Sequence, residues 1–229
     1  MIRSVIFDLD GTLLDRNSSL YQFVVDQYER EIKGVRNIEK ERYVSRFIEL
    51  DNRGYVWKDR VYQELIKEFD LPLEWNDLLN DYKRGFCKHA ISFPNTFETL
   101  EKLKAQGLKL GMITNGFGDF QSSNIHALGI QKYFDVILIS EIEGLRKPDP
   151  AIFLRAADLM SVQPEECVYV GDHPTNDIAA SKNVGMKGIW KEDTFYKDQF
   201  EYDGLVRDLQ DIEKIIEQWN LASNSVNQR

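Results

Sequence analysis

Residues 1–15 read MIRSVIFDLDGTLLD. A short apolar run, Val5-Ile6-Phe7, ends in two aspartates separated by one residue, Asp8 and Asp10, and Gly11 and Thr12 follow at once. Like charges this close repel, and taking them out of water at the end of a buried strand is costly. Stability does not explain the pair; a positive group between them does. The stretch is therefore read as a strand over residues 3–8 that opens into a site.

Size and composition set bounds on that site. The chain has 229 residues, enough for a full core and for one domain, or one domain plus a modest insertion. Hydrophobic residues make up 42% and charged residues 29%, as in ordinary globular proteins. The formal charge of −9 argues against nucleic acid or an anionic membrane as the main partner. It leaves room for a small phosphorylated ligand held in a local positive site. The only cysteines, Cys87 and Cys167, are far apart and form neither a zinc nor a disulfide pattern, which suits a reducing compartment. The first residues lack a basic-then-apolar signal pattern, and no apolar run reaches membrane-spanning length. The expectation is a cytoplasmic protein; nothing in the sequence sets its oligomeric state.

Three textures follow one another. After the first strand, residues 17–90 carry helical periodicity: Leu20, Phe23, Val24, Gln27 and Tyr28; Val44, Phe47 and Ile48; Val61, Leu65 and Phe69; Trp75, Leu78, Leu79 and Tyr82. Breaks fall at Asn52-Arg53-Gly54 and Leu71-Pro72. About four helices are expected, packed as a small bundle inserted after the first strand. From residue 94 the rhythm is βα. Strands are expected at 108–113, 136–139, 168–170 and 188–190, with helices ending at Gly107 and over 120–128, 150–159, 177–183 and 205–219. Five strands separated by helices imply an α/β, Rossmann-like, mostly parallel sheet with helices on both faces. The tail LASNSVNQR is expected to fray.

Asp8, Asp10, Thr114 and Asp172 each lie just past the carboxyl end of an expected strand, where open α/β sheets bind ligands. Lys147 falls in the loop after the strand at 136–139. Asp8, Asp10 and Asp172 offer hard oxygen ligands, with a backbone carbonyl of Asp10 as a further donor, and suit Mg²⁺. Asp8 can attack phosphorus, and Asp10 can protonate the leaving oxygen and later activate water. The Thr114 hydroxyl and the Asn115 backbone N–H can donate to phosphate oxygens, although Asn115-Gly116 also fits an ordinary turn. Lys147, ahead of Pro148 and Pro150, can hold a phosphoryl group, or can be a solvated lysine beside a helix start. In Gly171-Asp172-His173-Pro174-Thr175-Asn176-Asp177, Asp177 can cap a helix and orient Lys147, with Asn176 sharing that work. His173 is either a substrate contact or a packed turn residue.

These four stretches, DLDGTLLD at 8–15, TNG at 114–116, KP at 147–148 and GDHPTND at 171–177, resemble in order and spacing the motifs of the haloacid dehalogenase-like hydrolases. The resemblance covers essentially the whole chain. It implies that Asp8 is the nucleophile and Asp10 the general acid/base. It also implies that Thr114 binds phosphate, Lys147 stabilises the intermediate, Asp172 holds Mg²⁺ and Asp177 supports the site. It further implies a catalytic core over 1–15 and 93–229 and a helical cap over 16–92, the arrangement of small-molecule phosphatases. True haloacid dehalogenases lack the acidic residue two positions after the nucleophile; Asp10 is present here. The expected activity is Mg²⁺-dependent hydrolysis of a small phosphate ester (a nucleotide, a sugar phosphate or a phosphoglycolate-like compound). A phosphomutase, a dehalogenase or a noncatalytic binding protein of the same fold are the alternatives. A cap that closes on hinges near 14–18 and 90–94 would exclude water and choose the substrate. Arg16, Asn17, Tyr21, Arg53, Trp57, Lys83, Arg84 and Phe86 are its candidate contacts, with Phe117 from the loop after Thr114. Each is equally explained as cap core or solvated surface.

Overall fold

Strand β1, Ser4–Phe7, is buried along its whole length, because Ser-Val-Ile-Phe presents apolar side chains to both faces. The computed structural model describes residues 1–197 and 199–226. Six strands form one parallel sheet in the order β3-β2-β1-β4-β5-β6. They are β1, β2 at Lys109–Thr114, β3 at Val136–Ile139, β4 at Cys167–Gly171, β5 at Lys187–Lys191 and β6 at Gly204–Val206. This is the doubly wound order, which reverses direction between β1 and β4. Phe7 pairs with Met112 on one side and Val170 on the other, so the residues after these three strands leave the sheet together.

The chain divides into two units, Met1–Leu14 with Ser92–Arg229, and Asp15–Ile91. The second is helical: α1 at Arg16–Gln27, α2 at Lys40–Asp51, α3 at Lys58–Phe69 and α4 at Trp75–Gly85. Its apolar stripes meet in an aromatic core in which Phe23 packs on Tyr82 and Phe86, and Phe47 on Tyr62. The first unit adds α5 at Thr96–Ala105, α6 at Gly118–Leu128, the short α7 at Ser140–Glu143, α8 at Pro150–Leu159, α9 at Ala180–Asn183 and α10 at Asp211–Val226. Helix α8 starts with Pro150 after the Asp149 cap and lays Ile152, Phe153 and Ala156 on Ile6, Ile113, Leu138 and Tyr169. Each large apolar side chain so buried contributes roughly 1.5–3 kcal/mol. No helix of the described residues is long and apolar enough to cross a membrane.

Four expectations are corrected. β6 is a sixth strand lying where the last helix was expected to begin. Asp203 fixes it by donating its backbone N–H to the Gly188 carbonyl and accepting the Gly188 N–H on its side chain. The last helix therefore starts at Asp211 rather than near 205, after a turn in which Asp208 accepts the Gln210 N–H. The expected helix over 177–183 begins earlier, as a wide turn at Pro174–Ala179 that leads into α9. His173, not Asp177, caps it: His173 Nδ1 accepts the N–H groups of Thr175 and Asn176, each at 3.1 Å. Of the tail LASNSVNQR, the residues as far as Val226 belong to α10, and residues 227–229 lie outside the described residues.

Candidate active site

Lys147 is the centre of the site. Its ammonium donates to Asp8 Oδ1 at 2.6 Å, to Asp177 Oδ1 at 2.7 Å and to the Tyr169 hydroxyl at 2.9 Å. Lysine and both aspartates are buried. Burial alone would lower the lysine's pKa, but Asp177 and Asp8 hold it well above the ordinary lysine value. Lys147 is thus the positive group beside Asp8, and its second carboxylate partner is Asp177 rather than Asp10. The opposite balance holds at Asp8, where burial pushes the carboxyl up to about 7 against the pull of Lys147, with Asp177 and Asp10 adding to the rise. Thr12 donates to the other Asp8 oxygen at 3.4 Å, so both oxygens are held.

Asp172 follows β4 as Asp8 follows β1. Carboxylate oxygens of Asp8, Asp172 and Asp177 all lie within 4.8 Å of one another. Burial, then Asp8 and Asp177, raises the Asp172 carboxyl well above its usual range. Gly11, at φ +86°, makes room: a Cβ there would come 2.3 Å from Asp172 Oδ2. Two crowded, raised carboxylates with hard oxygen donors and neither Cys nor His among them fit a divalent cation. Asp177 has less to offer, because Oδ1 takes Lys147 and Tyr169 and Oδ2 takes the His173 N–H at 3.0 Å. The Asp10 side chain is outside this cluster, so a ligand from Asp10 would be its backbone carbonyl.

The loop after β2 supplies the neutral groups. Thr114 is buried at the strand end. The Asn115 side chain clamps the Lys147 peptide, donating to its carbonyl and accepting its N–H, both at 3.0 Å. That clamp holds the start of the cis Lys147–Pro148 bond. Its backbone N–H is the group expected to meet phosphate; its side chain serves the lysine. Asp10 Oδ2 and Thr114 Oγ both accept from one nitrogen, Gln121 Nε2, at 2.6 and 2.7 Å.

Sequence reasoning missed Gln121 and Tyr169. Tyr169 stands inside Cys167-Val168-Tyr169-Val170 and reads as core. Gln121 and Asn124 occupy the same face of α6 as Ile125 and Leu128, all four buried. Amides at apolar-periodic positions were the available signal.

The remaining candidates separate. The His173 ring lies against Tyr196, with centroids 5.2 Å apart, while its Nδ1 serves the cap described above. Asn176 gives its backbone N–H to that cap. Phe117 is 48% exposed just before α6. In the helical unit, Arg16 makes two bonds of 3.0 Å to Asp51, which also accepts from the buried Lys58. Tyr21 is 51% exposed, Lys83, Arg84 and Asn17 are exposed, and Trp57 is half-buried before α3. Arg53 has φ +59°, between Asn52 at +45° and Gly54 at +88°. Phe86 is corrected: it is 1% exposed within the aromatic core and cannot reach a ligand.

A family model for haloacid dehalogenase-like hydrolases matches residues 5–191. The glyceraldehyde 3-phosphate phosphatase of Pyrococcus furiosus is 28% identical over 237 aligned positions, covering 98% of this chain and 97% of that protein. The solved structure of a HAD phosphatase from Thermococcus onnurineus is 29% identical with a TM-score of 0.66, covering 94% of this chain and 98% of that one. A 2-haloacid dehalogenase from Pseudomonas syringae pv. Tomato DC3000 is 27% identical with a TM-score of 0.61, covering 96% and 100%.

Proposed function

The chain belongs to the haloacid dehalogenase-like hydrolase family, and on that footing we propose that it is a Mg²⁺-dependent phosphomonoesterase of small metabolites, working through an aspartyl phosphate on Asp8. The observation that carries this reading is the second carboxylate. Asp10 stands two residues after Asp8 and is hydrogen-bonded in the same site. A halide leaves without a proton, whereas the alkoxide of a phosphate ester needs one, so the likeness to a dehalogenase does not extend to its reaction. The phosphatase names of the relatives support the same choice.

In the proposed reaction an Asp8 carboxylate oxygen bonds to phosphorus. The phosphorus–oxygen bond to the alcohol breaks, its electron pair stays on that oxygen, and Asp10 supplies the proton that makes it an alcohol. Water then attacks the aspartyl phosphate and gives its proton to Asp10. Breakage of the phosphorus–Asp8 bond restores the Asp8 carboxylate, leaves Asp10 protonated as at the start, and releases inorganic phosphate. Lys147, Thr114 and the Asn115 N–H stabilise the phosphoryl oxygens, and Asp177 and Tyr169 hold Lys147 in place. When bound by Asp8 and Asp172, Mg²⁺ supplies further positive charge at the phosphoryl group. The choice of ester is assigned to the helical unit, with Arg16, Tyr21, Arg53, Trp57 and Arg84 as its candidates and Phe117 from the sheet unit. The proposed setting is the cytoplasm.

The test is phosphate release from p-nitrophenyl phosphate with Mg²⁺, with EDTA and in Asp8→Asn. Activity with Mg²⁺ alone is expected, and undiminished activity in Asp8→Asn rejects the nucleophile. A panel of glyceraldehyde 3-phosphate, phosphoglycolate, sugar phosphates, nucleoside monophosphates and pyridoxal phosphate then identifies the ester.

A further inference from the structure

Gln121 lies 2% exposed on the inner face of α6, its amide nitrogen close to Asp10 Oδ2 and Thr114 Oγ and, at 3.4 Å, to the Asn115 carbonyl. We propose that Gln121 is a positioning residue that decides which oxygen of Asp10 carries the transferable proton; the inference rests on the phosphatase reading above. The amide orientation follows from its partners. Oε1 accepts the Asn124 side-chain N–H at 3.2 Å, and Nε2 meets a carboxylate oxygen at 2.6 Å. The reversed amide would set two acceptors against each other at that distance.

With Nε2 donating to Oδ2, Oδ2 remains the acceptor when Asp10 is protonated, and the proton resides on Oδ1. Among the described residues, no hydrogen bond is made to Oδ1, so the proton there is free to pass to the leaving oxygen. The second hydrogen of the same nitrogen goes to Thr114 Oγ. That oxygen accepts, and the threonine's own hydrogen stays available for phosphate.

A second feature of the chain serves this arrangement. Gly116 does not have a positive φ, so no left-handed turn demands glycine there. A Cβ at Gly116 would instead come 2.7 Å from Gln121 Cγ and 3.0 Å from its Cδ. Gly116 is small because the Gln121 side chain crosses over it.

The experiment compares kcat/KM for an alkyl phosphate drawn from the panel with kcat/KM for p-nitrophenyl phosphate, in wild type, Gln121→Met, Gln121→Glu, Asp10→Asn and Asp8→Asn. This parameter reports the step in which the leaving group departs. An alkoxide needs the proton and p-nitrophenolate does not. Loss of a positioned general acid, worth about 10²–10⁴-fold when complete, is expected to appear in Gln121→Met as a roughly 10- to 100-fold fall on the alkyl ester and less than about threefold on the aryl ester. Asp10→Asn should show the same skew, larger. The ratio of the two substrates within one preparation cancels the folded fraction, so a less stable variant still reports. Equal losses on both esters, or no loss on either, overturn the role of Gln121. A wild type inert on every ester, or unaffected by Asp8→Asn, instead overturns the phosphatase reading itself.

Discussion

Lys147 is buried because three partners replace the water it lost, and two of them are charged. Removing one member of a buried ion cluster strands the others, at a cost of about 3–5 kcal/mol. Lys147→Met should therefore lower stability by about that amount in urea unfolding and reduce phosphatase activity at least ~100-fold. The double variant Lys147→Met/Asp177→Asn should recover part of the stability, since one stranded charge is gone, but none of the activity. Recovery of both would mean that the lysine only balances charge. At this scale the sequence was informative about which side chains the fold brings together and less so about what each one touches. Asp8 and Asp172 announce themselves as charges at strand ends, and Lys147 as a cation in the loop that follows β3. The clamp of Asn115 on the Lys147 peptide does not, because Asn-Gly after a strand is also the commonest turn chemistry. Gly116 invites the same turn reading and answers instead to a side chain five residues on.

At the scale of elements, legibility tracked length and periodicity. Helix α8 lies at 150–159, as Pro150 and the pattern indicated, and β3 at 136–139 likewise. Strand β6 was hidden because three residues carry no alternation and its register depends on Asp203, a polar residue outside the strand. The wide turn at Pro174–Ala179 was hidden because a histidine caps it. In the helical unit, the ends of α1, α2 and α3 meet at Asp51. Burial would raise this carboxyl, yet Arg16 and Lys58 hold it below its usual value. A depressed carboxylate contributes stability that is present above its unfolded pKa and lost as pH falls through the folded one. Asp51→Ala should cost about 3–5 kcal/mol, because the 1%-exposed Lys58 and Arg16 both lose their carboxylate partner. Denaturant titration of the whole chain checks this. A loss below about 1 kcal/mol would place the pair among surface bridges.

For the molecule as a whole, the doubly wound order sets the site where the chain reverses direction, between β1 and β4. The same geometry makes the fold responsible for a collection of like charges. The Asp8 carboxyl rises from 3.8 in the unfolded chain to about 7 in the fold, and Asp172 rises as well. A raised carboxyl binds its proton more tightly when folded, so between about pH 4 and pH 7 the native state holds more protons than the unfolded one. Stability must then decrease with rising pH across that window. A divalent cation reverses the balance, since it needs both carboxylates ionised and must displace their protons to bind. Without added metal, thermal unfolding should therefore give a lower Tm at pH 8 than at pH 6, and that difference should shrink in Asp8→Asn. The rise in Tm on adding Mg²⁺ should be larger at pH 8 than at pH 6, by a few degrees, as ~2–4 °C per kcal/mol implies for a chain of this size. In Asp8→Asn that difference should largely vanish. A Mg²⁺ effect equal at the two pH values would mean that the cation binds without competing for these protons, and so elsewhere than between Asp8 and Asp172.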